Sequence, residues 1–296
     1  MKILLTGASG FMGQRWLELH GKTHEVYTLG RGHEKLPHTS AHIECDLSKA
    51  GDLARVRACD KLPGKIDAII HLAVSRLHRD FPNTAGDLFE VNVASTAALL
   101  DYARVAGAKH FILGSSGSVY DGVAEGELKE ARHLTPYRFF PATKLAAELL
   151  ANQYREFFKI ATIRFFTPYG PGQTQRLIPD LVSRVRENRA VTLPASGGGI
   201  TLSALYLDDC VMVIDRALQE GWNTTTNAAS PQIMNIEEIA NTIAKAMGKN
   251  AIIERNSSAP GYALAPDLSH FSTLIDINKL TDFETGLSEI IKSDTK

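Results

Sequence analysis

The feature that most constrains this chain stands at its N-terminus, where the apolar run Ile3-Leu4-Leu5 leads into Thr6-Gly7-Ala8-Ser9-Gly10-Phe11-Met12-Gly13. An apolar strand that breaks into regularly spaced glycines and then into an amphipathic stretch encodes a strand, a tight turn and a helix. Gly7 permits the turn, Gly10 lets backbone N–H groups approach an anion, and Gly13 lets the helix pack close to the strand. With Phe11 and Met12 beside these glycines, the segment reads as a cradle for a dinucleotide pyrophosphate, the helix N-terminus facing the anion. An ordinary strand-to-helix turn uses glycines in the same way. The context favours the cradle, because Phe11 to His20 is amphipathic and His24 to Leu29 reads as a second strand.

Strand-like runs and helix-length segments then alternate: His42 to Cys45, Ala68 to Leu72, Phe111 to Leu113 and Ile160 to Phe166 are the further strands. This alternation predicts an α/β fold, a doubly wound parallel sheet of the Rossmann type. Helices are expected at Asn83 to Ala106 and Ala142 to Phe158, both with apolar surface to spare for a subunit interface. After Phe166 the pattern changes to loops punctuated by Pro and Gly, with helices near Gln175 to Asn188, Asp208 to Glu220 and Ile236 to Met247. The expected organisation is a dinucleotide-binding domain over 1–166 and a smaller substrate-binding lobe over 167–296, part of 203–229 returning to the first domain. Ser196-Gly197-Gly198-Gly199 reads as a flexible turn. Ligands are expected beyond the C-terminal ends of the strands.

Composition narrows the partners. Lys plus Arg total 32 against 33 for Asp plus Glu, a balance with no general attraction to nucleic acid or acidic membranes. Cys45, Cys59 and Cys210 are widely separated, which argues against a disulfide framework and for small buried side chains in a reducing compartment. The short N-terminal apolar stretch does not read as a signal peptide, and no run approaches membrane length, so a cytoplasmic location is expected. His20 with His24, and His38 with His42, read as surface pairs, and no metal site is expected.

The end of the second strand distinguishes the cofactors. An acidic residue there would accept from the ribose 2′-hydroxyl of NAD, whereas this chain has Gly30-Arg31. Without a carboxylate to repel a 2′-phosphate, and with a guanidinium to pair with it, NADP is expected over NAD, and Arg15 adds a second cation. Arg31 is also readable as a solvated loop residue. Asp46 and Leu47 are placed beside the adenine, Asp46 accepting from the exocyclic amine or serving as a cap.

Taken with His71-Leu72-Ala73, Asn92-Val93, Ser115-Ser116-Gly117-Ser118-Val119-Tyr120, Arg164 to Gly172 (RFFTPYGPG), Tyr206-Leu207-Asp208-Asp209 and Asp276 to Leu280, these residues resemble the extended short-chain dehydrogenase/reductase family. Its relevant branch contains NAD(P)-dependent sugar epimerases and dehydratases. The resemblance implies a Rossmann domain, a C-terminal substrate lobe, a homodimer formed through two helices per subunit, and Leu72 and Ala73 against the cofactor. It also implies a Ser or Thr four residues before the Val-Tyr tyrosine, which is Ser116 here, and a Tyr-x-x-x-Lys pair whose lysine is Lys144. The tyrosine is missing, and Phe140 stands in its place.

In the family that phenol is the acid/base for hydride transfer, its pKa lowered by the lysine ammonium. Three routes stay open: Tyr137 enters the site, Ser116 or a substrate group relays the proton, or the redox step is gone. Lys144 holds the nicotinamide ribose in each case, and Ser116 orients a substrate oxygen or caps nearby backbone. The substrate lobe departs from the family too. Thr167 replaces the usual Asn, Leu202 the usual Arg before the Asp-Asp pair, and Ala259-Pro260-Gly261 the usual Arg-Pro-Gly. Arg176, Arg184 and Arg255 are candidate substitutes, or solvated charges. The sequence therefore points to an NADP-preferring oxidoreductase, epimerase or dehydratase acting on a sugar nucleotide or related carbonyl or hydroxyl compound. The alternatives are a catalytically silent NADP(H)-binding regulator and a non-redox lyase or isomerase.

Overall fold

The apolar runs of the first half become neighbouring strands of one sheet in the computed structural model, which describes residues 1–32, 36–49, 51–54, 61–121, 127–256 and 263–293. The strands are β1 (Lys2–Thr6), β2 (Glu25–Gly30), β3 (Ala41–Glu44), β4 (Ala68–His71), β5 (His110–Ser116) and β6 (Lys159–Phe165). Their order is β3-β2-β1-β4-β5-β6, completed by a seventh strand, Thr225–Ala228. The pairs β1·β2, β1·β4, β2·β3 and β4·β5 are all parallel, with Leu4 opposite Tyr27 on one side and Ile69 on the other. The chain reverses its winding between β1 and β4, the switch point beside which ligands bind in sheets of this kind. β1 and β4 are buried almost throughout, as strands covered by helices on both faces must be.

The fold divides into two compact units: Met1–Gly126, Ala131–Arg164 and Val211–Thr226 form one, and Glu127–Glu130, Phe165–Cys210 and Asn227–Lys296 the other. In the first, Leu4, Leu29, Ile69, Leu99, Phe111 and Ile160 share a core. In the second, Ile178, Leu181, Val185, Ile239, Ile243 and Leu287 from three helices pack on Tyr169 and Tyr206. Small sheets complete this unit, Ile233–Asn235, Thr201–Ser203 and Ala263–Leu264 in one and Val191–Pro194 with Ile253–Asn256 in another.

Several boundaries differ from the sequence expectation for identifiable reasons. The helix α1 (Phe11–His20) is as expected. The helix expected over 83–106 is interrupted: α2 (Ala85–Phe89) passes through a π-helical turn, Glu90–Ala94, into α3 (Ser95–Val105). The turn carries buried Asn92, whose side chain is hydrogen-bonded through both its oxygen and its nitrogen. The next helix, α4 (Phe139–Asn152), starts before Pro141 because a proline in the first turn lacks only an N–H that has no helical partner. Gln175 and Asn188 adopt left-handed φ of 54° and 53°, so their helix is confined to Leu177–Arg186. In the turn Ser196 to Gly199, Ser196 and Gly197 are exposed and Gly197 has open space around it, whereas a Cβ on Gly198 would stand 2.3 Å from the side chain of Asn235, which caps helix Ile236–Ala246. The strands of the second unit escape the sequence reading because none exceeds four residues and each borders turn-forming residues.

Cys45 and Cys210 are buried; Cys59 and Ala259 to Gly261 lie outside the described residues. Among the described residues no helix is long and apolar enough to cross a membrane, and no group of His, Cys, Asp and Glu is arranged to hold a metal. His20 stacks on Trp16 and meets Asp215 at 3.2 Å.

Candidate active site

Steric closeness defines the glycine turn. Gly7 has φ of 72°, and a Cβ there would stand 2.6 Å from both the Ala73 nitrogen and the Leu72 carbonyl carbon. A Cβ on Gly13 would come within 2.2 Å of the Gly7 carbonyl oxygen. Only glycine fits either position. Gly10 donates to Gly7 O at 2.9 Å and is the N-cap of α1, a helix with no side-chain cap and no acidic residue in its first turn. Phe11 and Met12 open that helix, so its first N–H groups have no side-chain acceptor. A turn with its Cβ positions closed off and an uncapped ten-residue helix behind it fits a bound pyrophosphate.

A hydrogen-bonded chain locks the neighbouring end of β4. Ala73 N–H donates to Thr6 Oγ1 at 3.2 Å, and Thr6 Oγ1 lies 2.6 Å from His71 Nδ1. His71 Nε2 lies 3.0 Å from Thr96 Oγ1, whose own proton goes to Asn92 O at 2.8 Å. Because Thr96 spends its proton on the carbonyl, Nε2 donates and Nδ1 accepts. Burial, helped by the Lys144 charge, pushes His71 down to about 3, so the ring is neutral at physiological pH. Asn92 completes the network by accepting from Ser75 N–H at 3.0 Å and donating to Thr143 Oγ1 at 2.9 Å, which ties the π-helical turn to α4.

That contact brings α4 and its charge to the end of β5. Lys144 is buried and donates from Nζ to Gly114 O at 2.6 Å. Burial lowers its pKa to about 8, against the opposing pull of the Glu148 carboxylate. Phe140 lies one turn earlier at i,i+4 spacing, on the same helix face and without a hydroxyl. Ser116, at the end of β5, accepts Ser118 N–H at 3.1 Å, which leaves its own proton available to a substrate oxygen. Tyr120 is committed elsewhere, since its hydroxyl meets Arg164 Nη1 at 2.8 Å. Arg164 also grips Glu148 in a buried pair at 2.7 Å, and Ser115 hydrogen-bonds the same carboxylate. Tyr137 is 76 % exposed in the extended segment before α4, with the Arg138 guanidinium 5.8 Å from its ring centroid. Arg138 is fixed in turn by Asp121, which accepts from its backbone N, Nε and Nη2.

At the end of β2, Arg31 is exposed, and its loop is held by His42 Nε2 donating to Gly32 O at 2.7 Å. Asp46 accepts from both Ser48 N–H and Ser48 Oγ. Burial pushes its carboxyl up, but the Ser48 hydrogen bonds and then the Arg31 and Lys49 charges hold it below the usual range. Leu47 packs against the core of the first unit. The structure thus gathers the glycine turn, Leu72, Ala73, Ser116, Phe140 and Lys144 on consecutive strand ends and α4 of one unit. Thr167 and Arg176 belong to the second unit. There Thr167 has φ of 38°, and Arg176 is the N-cap of the helix Leu177–Arg186. Arg184 pairs with Asp180, and Arg255 with Glu237. The Thr6, His71, Thr96 and Asn92 chain is not legible in the sequence, because its members are scattered over four elements and the π-helical turn has no sequence signature.

Residues 3–236 match the family described as NAD dependent epimerase/dehydratase. The chain belongs to this family. Agl12, a low-salt glycan biosynthesis protein of Haloferax volcanii, is 29% identical over 233 residues, 75% of this chain and 74% of that protein. YtcB of Bacillus subtilis, an uncharacterized UDP-glucose epimerase, is 26% identical over 315 residues, which cover 98% and 97% of the two chains. A solved structure of a tyrosine-to-phenylalanine mutant of UDP-glucuronic acid 4-epimerase from Bacillus cereus, in complex with UDP-4-deoxy-4-fluoro-glucuronic acid and NAD, has a TM-score of 0.84 at 25% identity. It covers 100% of this chain and 99% of that one. Membership in the epimerase/dehydratase family accounts for the doubly wound sheet and for the glycine turn at its switch point.

Proposed function

We propose that this family member is an NAD(P)-dependent enzyme that epimerises, dehydrates or otherwise modifies a sugar nucleotide by reversible hydride transfer. The observation that carries the reading is the buried Lys144 ammonium on the same unit as the closed-off glycine cradle. A buried charge is costly and persists where it has work to do. The cradle of Gly7, Gly10 and Gly13, with Phe11 and Met12, would hold the pyrophosphate; Leu72 and Ala73 would line the cofactor, and Lys144 would donate to ribose hydroxyls. A bound nicotinamide supplies the hydride acceptor and donor. Ser116 orients the substrate oxygen through its free proton. Thr167 and Arg176 are assigned to substrate binding.

Arg31, which directly follows Gly30 at the end of β2, supports preference for NADP, with Asp46 and Leu47 beside the adenine. The solved relative named above holds NAD, so the ratio of the two affinities is the test of this preference. Exposed Phe89 on α2 and Leu149 on α4 support a homodimer through these helices. A sugar-nucleotide substrate supports a cytoplasmic location.

Phe140 supports a second reading, a protein that binds cofactor and sugar nucleotide without turnover. The mutant relative with phenylalanine for tyrosine holds both NAD and a fluorinated UDP-sugar. Incubation with UDP- and dTDP-sugars plus NAD or NADP, followed by product analysis, separates the readings. The enzyme reading predicts slow conversion by the natural chain. Phe140→Tyr should accelerate it by about 10²- to 10⁴-fold, the usual contribution of a positioned acid/base. Tight binding with no conversion by either protein would favour the silent regulator, and conversion with no dependence on cofactor the non-redox enzyme.

A further inference from the structure

The sheet end opposite the glycine cradle carries a cationic cleft with no part in the chemistry above. β5 and β6 begin side by side there, with Lys159 N–H donating to Lys109 O at 3.0 Å. A cavity of about 660 Å³ is lined by Arg104, Lys109, His110, Arg155, Lys159 and Phe157, with Glu156 the one carboxylate among the described residues of its lining. Arg104 is matched by Asp101. Arg155 pairs with no carboxylate among the described residues and donates to Asn152 Oδ1, Asn223 Oδ1 and Ile160 O, three neutral acceptors. Lys109 and Lys159 have no ion pair among the described residues.

These charges converge. A Cβ on Gly221, itself left-handed with φ of 63°, would stand 2.9 Å from His110 Cε1 and 3.0 Å from Lys159 Nζ, so ring and ammonium flank one backbone position. His110 Nδ1 is shielded from solvent without a hydrogen-bond partner. Burial, then the Lys159 and Lys109 charges, push the imidazole below its ordinary pKa, with Asp67 opposing. The cleft thus carries an excess of positive charge, with four Lys and Arg side chains against Glu156 in its lining, beside Phe157, an aromatic ring that is 60 % exposed.

We propose that this cleft binds a nucleoside diphosphate, its phosphates on Lys109, Lys159 and Arg155 and its base stacked on Phe157, at a site distinct from the glycine cradle. Cations supply the phosphate contacts and an aromatic face is indifferent to which base it stacks. Inorganic pyrophosphate shares the phosphate chemistry, and the test separates the two.

The full chain, labelled with ¹³C at histidine Cε1, is titrated with UDP and separately with inorganic pyrophosphate while the His110 signal is followed. His110→Gln assigns that signal. Because UDP can also enter the cradle, only the local signal counts. The proposal predicts saturable movement of the signal toward the protonated position with both probes, UDP binding about tenfold tighter through stacking. Phe157→Ala should bring UDP to the pyrophosphate level, and Lys109→Glu with Lys159→Glu should weaken both at least tenfold while NADPH binding is kept, which shows an intact fold. Equal affinity for both probes with no effect of Phe157→Ala would overturn the nucleotide assignment. An unmoved signal, or unsaturable drift shared by the charge-reversed variant, would mean an adventitious ion only.

Discussion

At the scale of single residues, Phe140 and Lys144 stand one turn apart on the same face of α4 and differ in what they can offer a ligand. Phe140 carries no ionisable proton, whereas the buried Lys144 ammonium donates to Gly114 O. Burying that charge opposes folding, so Lys144→Met should leave the melting temperature unchanged or raised while weakening NADPH binding at least tenfold, read by thermal denaturation and titration. With Lys144 held at about 8, cofactor affinity should fall as pH rises through that value and the ammonium becomes an amine. The variant should lack this pH dependence. Thr167 gives a different residue-scale prediction. A β-branched side chain at φ of 38° is strained, and Asn tolerates left-handed backbone better, so Thr167→Asn should stabilise the protein by about 1 kcal/mol in denaturant unfolding.

Among the elements, β4 and α4 are held by buried polar groups rather than by apolar contact alone. His71 is held near 3 in the fold against 6.5 when free, so between these values the unfolded chain binds the extra proton. Stability is therefore intact above pH 6.5 and falls as pH drops toward 3, by up to about 1.4 kcal/mol per pH unit. Urea unfolding against pH should show this slope, and His71→Asn should flatten it. Removing one partner of the buried Glu148–Arg164 pair, which joins α4 to β6, should cost about 3–5 kcal/mol, because the remaining charge is stranded. Such elements were legible in the sequence to the extent that their patterning was local. Apolar runs set β1 through β6, and Gly7 and Gly13 announced a turn whose tightness the structure explains. The interrupted helix 85–105 was not legible, since Asn92 becomes decisive only through Ser75 and Thr143, residues distant in sequence. Nor were the commitments of Tyr120 to Arg164 and of Arg255 to Glu237, which depend on pairing across elements.

For the whole molecule, the proposed assembly and the proposed cofactor site are separable. Phe89 and Leu149, about half exposed on α2 and α4, should form a subunit interface. Light scattering on the purified chain should give twice its 32.3 kDa mass, and Phe89→Glu with Leu149→Glu should give the single-chain mass without loss of helical signal. A single-chain mass for the natural sequence would remove the homodimer. The proposed enzyme function depends on the cradle and Lys144 holding a nicotinamide dinucleotide. The most direct test is titration of the purified chain with NADPH and NADH, followed by energy transfer from Trp16 and Trp222 to the reduced nicotinamide. Saturable binding is expected, tighter for NADPH and abolished by Gly13→Leu. Saturation by neither nucleotide, or binding that Gly13→Leu leaves intact, would contradict it.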